Sequence, residues 1–236
     1  MLNIYADYHT HTDMSHGTGT ARENIEAAIA LGLKRIAISD HSIGHAWYGI
    51  RDIDRYVDTV LSLKEEYKGK IDVLLGIELN LVGMKGDLDI PEKYADKFDI
   101  KLLGYHKCGK QVDLISAWQL GLRRLTPSLS AKHTKAFEKA LATGLVDILA
   151  HPGYAVSVDK LELAHICERY GVLYEINNKH PDLTVEDIKN AAEKTNVRFV
   201  IGTDAHASAA VGKAPHSIEK SILAGIDPKR IDNAVL

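Results

Sequence analysis

Residues 159–201, DKLELAHICERYGVLYEINNKHPDLTVEDIKNAAEKTNVRFVI, carry the pattern that decides the fold. Asp159 is a helix-capping residue type, and the segment 159–170 has apolar side chains three and four apart, as in Leu163, Ile166 and Cys167. Gly171 stops that helix, because glycine accepts the left-handed backbone on which helices end. The short apolar run 172–176 reads as a strand. Thr184 then caps a second amphipathic pattern, 184–194, and 198–201 reads as the next strand. Strands joined through a helical crossover lie parallel, with the helices covering the sheet.

The same alternation extends back to the N-terminus. Strand-type runs at 3–8, 35–39, 71–79, 99–105 and 146–150 bring the total to seven, and helical patterns fill 20–31, 52–67 and 131–142. Thr20 and Asp52 stand at helix starts, and Gly32 and Gly144 at helix stops. No Pro/Gly/Ser-rich linker and no break in composition divides the chain. The expected class is therefore α/β, with closure into a barrel favoured over two domains and an open doubly wound sheet as the fallback. One segment breaks the rhythm: 107–130, with clustered Arg123 and Arg124, reads as an inserted loop or lid over the site, or as a surface excursion.

Composition narrows the function. The chain has 236 residues, 45% hydrophobic and 26% charged, and its 29 Lys plus Arg against 32 Asp plus Glu leave a formal charge of −3. Such balance gives no global electrostatic reason for tight binding to nucleic acid or a membrane surface. Two cysteines, Cys108 and Cys167, are too few for a thiolate zinc knot or a disulfide framework, which fits a reducing compartment. The start, MLNIYADYHT, lacks the basic and long apolar regions of a signal peptide, and no apolar run is long enough to span a bilayer, so a cytoplasmic location is expected. The anomaly is twelve His beside three Phe.

Seven of those histidines fall at strand ends. In a parallel barrel the βα loops at the C-terminal ends of the strands converge on one face, which is where chemistry collects. The first strand ends in Asp7-Tyr8-His9-Thr10-His11, with His16 just beyond; the second in Asp40-His41; the third in Glu78; the fourth in His106; the fifth in His151; the seventh in Asp204-Ala205-His206. The i, i+2 spacing sends His9 and His11 to one face of an extended segment. Nine nitrogen and oxygen donors are too many for one tetrahedral ion and suit a cluster of two or three. Asp7, two residues before His9, and Asp40, next to His41, are candidates to accept imidazole N–H groups from behind. The other five histidines scatter: His45 and His180 sit in loops on the same face, where they could touch substrate but read first as solvated loop residues, and His133, His165 and His216 lie on or near helices.

The segments HTHTDMSH, AISDHS, GIELN, GYH, AHPG, EINN and GTDAH, in this order, resemble the PHP (polymerase and histidinol phosphatase) superfamily from Ile4 to about His206. The resemblance implies a single domain over 1–236, a distorted seven-stranded (β/α)7 barrel and a metal-dependent phosphoesterase. It further implies three divalent ions, zinc, manganese or iron. His9, His11, Glu78 and Asp204 would hold the first, and Glu78 would bridge to a second held by His106 and His151. His16, His41 and His206 would hold the third. The SDH and EINN segments look closer to stand-alone phosphoesterases and to the module fused to family X polymerases than to histidinol phosphatases.

The expected reaction is hydrolysis of a phosphomonoester on a small metabolite or nucleotide, with Glu78, Asp204 and His206 at its centre. Lys107, Arg123, Arg124 and Lys179 are the candidate phosphate contacts, and Asn177 and Asn178 the candidate hydrogen-bond donors. The competing readings are a 3′–5′ exonuclease or phosphodiesterase, disfavoured by the near-neutral charge, and histidinol-phosphate phosphatase. A metal-dependent amidohydrolase shares His-x-His but would need a metal-bridging lysine at the fourth strand, for which no candidate appears. A non-enzymatic binding module sits poorly with a complete donor set.

Overall fold

A computed structural model of the protein describes residues 2–107 and 109–236; Cys108 lies outside them. The chain order is β1 (Asn3–Ile4), β2 (Ala6–Asp7), α1 (Ala21–Ala30), β3 (Arg35–Ile38), α2 (Ile53–Glu66), β4 (Asp72–Asn80) and β5 (Ile100–Gly104). It continues through α3 (Leu114–Ser116), α4 (Ser130–Leu141), β6 (Ile148–Leu149), α5 (Lys160–Tyr170), β7 (Leu173–Asn177), α6 (Val185–Lys194), β8 (Phe199–Gly202), α7 (Pro215–Leu223) and β9 (Ala234–Val235). Strands β2 to β8 form one seven-stranded parallel sheet in sequence order, while β1 pairs antiparallel with β9 outside it. The run expected as one strand at 3–8 is thus split between two sheets. Helix α7 and strand β9 were not anticipated from the sequence.

The sheet curls until its edges meet. Beyond β2 and β8, the His11 amide donates to the Ala205 carbonyl at 2.8 Å and the Ala205 amide to the His9 carbonyl at 3.2 Å. Lower down, the buried Asn233 side chain stands between the two edge strands. Its Nδ2 donates to Ala6 O at 2.8 Å and Ile201 O at 2.7 Å, and its Oδ1 accepts from Ile201 N at 2.9 Å. A side-chain amide so replaces missing ladder bonds, because buried backbone groups must be paired. The result is a nearly closed (β/α)7 barrel.

The helices begin where the sequence says. Thr20 and Thr184 form capping boxes with Glu23 and Asp187, and Asp52 and Asp159 accept from the third residue beyond. Gly171 ends α5 at φ 70°.

Strand alternation separates two apolar sets. Ile36, Ile38, Leu75, Leu103, Tyr174 and Phe199 belong to the large core that also holds Ile25, Val60 and Leu163 of the helices, so these point outward. Ala6, Ala37, Leu102, Ile148 and Val200 form a small separate cluster inside the barrel. Continuing the inner parity along each strand leads to Glu78, His106, Glu175 and Asp204 at the C-terminal mouth. Lined by small residues below and polar ones above, the barrel carries its site by the same periodicity that builds its core.

The insert after β5 contains α3, a π-helical turn over Ala117–Leu122 and a 3₁₀ turn over Pro127–Leu129. No helix among the described residues is long and apolar enough to cross a membrane.

Candidate metal centre

Glu78 sits fully buried at the end of β4, inside a ring of imidazoles. Its Oε1 lies 2.8 Å from His151 Nε2, 3.2 Å from His106 Nε2 and 3.4 Å from His9 Nε2, while Oε2 lies 2.7 Å from His41 Nδ1 and 3.6 Å from His11 Nε2. Only Gly104 leaves room for this ring. A Cβ there would stand 2.5 Å from the His151 ring, 2.9 Å from the His106 ring and 3.0 Å from Glu78 Oε1. Asp204 is the second carboxylate, with Oδ1 3.3 Å from His11 Nε2 and 3.2 Å from His206 Nδ1, and Oδ2 3.1 Å from His180 Nε2.

Four overlapping groups have ligand atoms within 4.8 Å of one another: His9, His11 and Asp204; His9, Glu78 and His151; His41, Glu78 and His106; His11, His41 and His206. His16 joins none of them but lies alongside, its ring centroid 4.3 Å from that of His206 and 5.1 Å from that of His41. The resemblance grouped His41 with His16 and His206 alone; here it also touches Glu78.

The donor set fits divalent ions. Buried polar atoms are normally paired, yet His9 Nε2, both ring nitrogens of His11, His16 Nδ1, His41 Nδ1 and Glu78 Oε2 have no hydrogen bond. His41 Nδ1 and Glu78 Oε2 are 2.7 Å apart without hydrogen-bond alignment, so their lone pairs converge on shared space. Nitrogen and carboxylate oxygen donors without thiolates suit a hydrolytic centre of zinc, manganese or iron type.

The charge states agree. Burial holds the His11 imidazole down to about 3, against the opposing pull of Asp204, and lowers His16 to about 4 with help from the charges of His206 and Lys179. Burial alone would raise Glu78, but the imidazoles of His106, His9 and His41 hold it well below the usual carboxylate range. Asp204 is likewise kept ionised against burial by the charge of His9 and by the close imidazoles of His11, His180 and His206. The ionised carboxylates and the imidazoles of His11 and His16, held neutral by burial, are in the forms an ion requires, whereas His9, raised by its carboxylate neighbours, gives up a proton to bind.

The residues behind the ligands differ from expectation. Asp7 accepts from Thr203 Oγ1 at 2.6 Å and Gly212 N at 3.0 Å, and Asp40 from the amide and hydroxyl of Thr12 at 2.7 Å each and from Ser15 Oγ. Neither accepts from an imidazole. Each instead braces a neighbouring loop: Asp40 points away from the adjacent His41, as consecutive strand residues do, and Asp7, the last residue of β2, is taken up by Thr203 and Gly212. The candidate ligands are oriented instead by Glu175 and Asn80. His9 Nδ1 pairs with Glu175 Oε1 at 2.7 Å, and the other oxygen of Glu175 accepts from His151 N at 2.6 Å and Asn177 Nδ2 at 2.9 Å. His106 Nδ1 donates to Asn80 Oδ1 at 2.5 Å, and Asn80 Nδ2 donates to Asp89 Oδ2 at 2.7 Å. These contacts aim Nε2 of each ring at Glu78. His151 and Asp204 hold left-handed backbone, φ 29° and 53°, which non-glycine residues adopt mainly where function demands it.

Over this floor opens a cavity of about 510 Å³. Lys107 and Lys179 line it, and Lys179 Nζ lies 3.5 Å from Asp204 Oδ1 and 2.9 Å from His206 Nδ1. His45 and His180, expected as solvated loop residues, are instead packed into its wall. Arg123 and Arg124 are not among the lining residues: Arg123 sits 4.9 Å over the Trp118 ring, and Arg124 Nη1 donates to Gly121 O at 2.8 Å. Asn177 Nδ2 lies 3.4 Å from Asp204 Oδ2, while Asn178 Oδ1 accepts from His216 N and Ser217 N at the start of α7. Asn178 is therefore engaged in holding α7.

Comparison with known proteins adds three findings. The model of the PHP domain family matches residues 7–224. A protein of Thermoanaerobacter sp. (strain X514) named as a probable phosphatase is 29% identical over 242 residues, covering 95% of this chain and 88% of its own, and one from Shewanella sp. (strain MR-4) is 29% identical over 237 residues, covering 94% and 83%. Among solved structures, histidinol phosphate phosphatase from Lactococcus lactis subsp. lactis Il1403, in complex with zinc, L-histidinol and phosphate, superposes with a TM-score of 0.64 over 94% of each chain. At 18% identity that likeness shows the fold.

Proposed function

The chain belongs to the PHP domain family and is a metal-dependent phosphoesterase; within that class, we propose that it hydrolyses the monoester of a small phosphorylated metabolite or nucleotide. The observation that carries the reading is the buried Glu78 carboxylate among five imidazoles whose nitrogens lie 2.7 to 3.6 Å away, several of them without hydrogen bonds. That arrangement is costly unless cations complete it.

In this proposal three divalent ions, of zinc, manganese or iron type, are held by His9, His11, Glu78 and Asp204, by Glu78, His106 and His151, and by His16, His41 and His206. Bound there, such ions supply Lewis-acid charge at phosphorus and acidify water. The chain's own residues do the rest. Glu175 and Asn80 hold the His9 and His106 rings in one orientation, so the donor positions are set before substrate arrives. Lys179, beside Asp204 and His206, binds phosphate oxygens, and Lys107, which also lines the cavity, adds charge for the anion. A cavity of about 510 Å³ suits a small ester.

The test is release of inorganic phosphate from a monoester panel, beside a bis-ester, by enzyme whose metal content is measured by elemental analysis. Monoester turnover that chelation abolishes and metal restores is expected. Turnover indifferent to metal, or confined to the bis-ester, overturns the reading.

A further inference from the structure

Above the polar floor, the walls of the cavity are aromatic. The chain has only two Trp, ten Tyr and three Phe, yet Trp47, Tyr48 and Tyr154 all line this one space. Trp47 and Tyr48 are 72% and 46% exposed, so their faces are not committed to the core. On one side Tyr48 stacks on His45, with ring centroids 5.0 Å apart and an interplanar angle of 30°, and on His16 at 4.2 Å and 26°. On the other side Tyr154 stacks on His180 at 3.8 Å and 34°.

These two stacks line the same cavity from opposite sides of the barrel. His45, Trp47 and Tyr48 follow β3, and Tyr154 follows β6. In the order β2-β3-β4-β5-β6-β7-β8, β3 and β6 are three strands apart, and two strands of a seven-membered ring cannot be farther. Lys179 lies beside Asp204 and His206 on the floor, so a phosphate held there projects its leaving group upward between the walls.

We propose that the two walls form a stacking cleft that selects phosphomonoesters whose leaving alcohol carries a planar aromatic or heteroaromatic ring. The inference rests on the phosphomonoesterase reading above. An aliphatic group gains only burial between such walls, whereas a planar ring also gains offset stacking on both sides. In the reaction the ester P–O bond breaks, the oxygen of water bonds to phosphorus, and the ring-bearing alcohol leaves with a proton from water.

Benzyl phosphate and cyclohexylmethyl phosphate test it, because they share a primary alkoxide leaving group and similar bulk but differ in planarity. The metal-loaded enzyme is expected to favour the benzyl ester in kcat/KM by about tenfold, the scale of two aromatic contacts. Tyr154→Leu and Tyr48→Leu should each reduce that ratio severalfold, and Tyr154→Phe, which keeps the ring, should preserve it. Calorimetry with benzylphosphonate and cyclohexylmethylphosphonate reads the same preference without turnover. Hydrolysis of both esters with no preference sinks the cleft and leaves the phosphatase reading standing. Preferred binding of benzylphosphonate, diminished in the Leu variants, without hydrolysis of any monoester supports the cleft and sinks the phosphatase reading. Equal binding of the two phosphonates, or a preference unchanged in both Leu variants, overturns the proposal.

Discussion

Glu175 Oε1 lies 2.7 Å from Nδ1 of His9, on the opposite side of the ring from Nε2, which faces Glu78 Oε1 at 3.4 Å. The pair is buried, and it fixes which nitrogen of His9 is free to bind. Burial would lower the basicity of His9, but the charges of Glu175, Glu78 and Asp204 raise it well above its ordinary value. A ring made more electron-rich is a better ligand. Glu175→Gln keeps the size of the side chain and removes the charge, so metal affinity should fall by roughly 10- to 100-fold, as is usual for partners of ligating histidines. Titration of the chelated variant with zinc, followed by calorimetry, checks this; wild-type affinity would show that Glu175 only fills space.

Glu78 offers both oxygens to imidazoles from several different strand ends, so its charge is shared by the whole centre. Glu78→Gln should lower turnover by roughly 10²-fold or more, since it removes charge stabilisation where it is least replaceable. The fold should persist, because the amide is isosteric and the uncompensated buried charge is gone. Circular dichroism and metal content, measured alongside phosphate release, separate the two effects. Near-normal activity with unchanged metal content would refute a bridging role.

Lys179 and the Arg123–Arg124 pair were equal candidates for anion contacts in the sequence, and the structure separates them. Lys179 is in the cavity beside Asp204, whereas Arg123 lies over Trp118 and Arg124 is tied to the Gly121 carbonyl. Lys179→Ala should raise KM for phosphate esters by about tenfold, in line with loss of one charge-assisted contact. Replacing both arginines by Ala should leave KM within about twofold, since neither lines the cavity and exposed charges contribute little. Steady-state kinetics on one monoester reads both. A large KM effect from the arginines would mean that the insert closes over the substrate.

What could be read from the sequence was what obeys a period. Seven strands, their helices and their caps follow from spacings of two and of three to four, and the inner parity of each strand leads to Glu78, His106 and Asp204. Glu175 obeys the same parity and stands as far from the end of β7 as Glu78 from the end of β4, so its signal, a lone acid inside the apolar run VLYEI, was legible. Asp40 misled because adjacency to His41 in an extended segment places it on the other face, and Asp7 because β2 ends there, so the parity shared by His9 and His11 does not carry back to it. His45 and His180 come from loops, which have no period to read. Asn233, which closes the barrel seam against Ala6, lies 227 residues away in sequence, and no local pattern announces such a contact.

The crowding of neutral imidazoles makes the stability of the metal-free protein depend on pH. Burial first of all lowers His11 to about 3 and His16 and His45 to about 4, and it also lowers His41 and His151. In the unfolded chain each of these takes up a proton near the ordinary histidine value of about 6.5. Between those values the unfolded state binds more protons, so stability falls as pH drops below about 6.5. His9, which is raised, works in the opposite sense: its contribution is full below about 6.5 and fades as pH rises through its folded value. With His133 also lowered by burial, six lowered histidines against one raised give a net loss on acidification. The Tm of chelated protein should therefore decrease from pH 7.5 through 6.5 to 5.5, and a flat or rising Tm would contradict these assignments.

His16 decides how many ions the centre holds. It stands outside the four ligand groups, yet its ring is 4.3 Å from that of His206 and 5.1 Å from that of His41, and its buried Nδ1 has no partner. A residue that only capped a loop would have its buried nitrogen satisfied. If His16, His41 and His206 hold one ion, His16→Ala removes a ligand from that ion alone, because the His9, His11 and Asp204 group and the Glu78 groups keep every donor. Elemental analysis should then show about one ion fewer per chain, with the remaining ions bound as in wild type. Activity should fall by roughly 10²-fold through lost charge stabilisation at phosphorus, the scale known for removal of one oxyanion donor. Loss of all metal would instead mean that the centre assembles as a unit. A wild-type content of two ions per chain, unchanged in His16→Ala, would leave a binuclear enzyme and retire the third site.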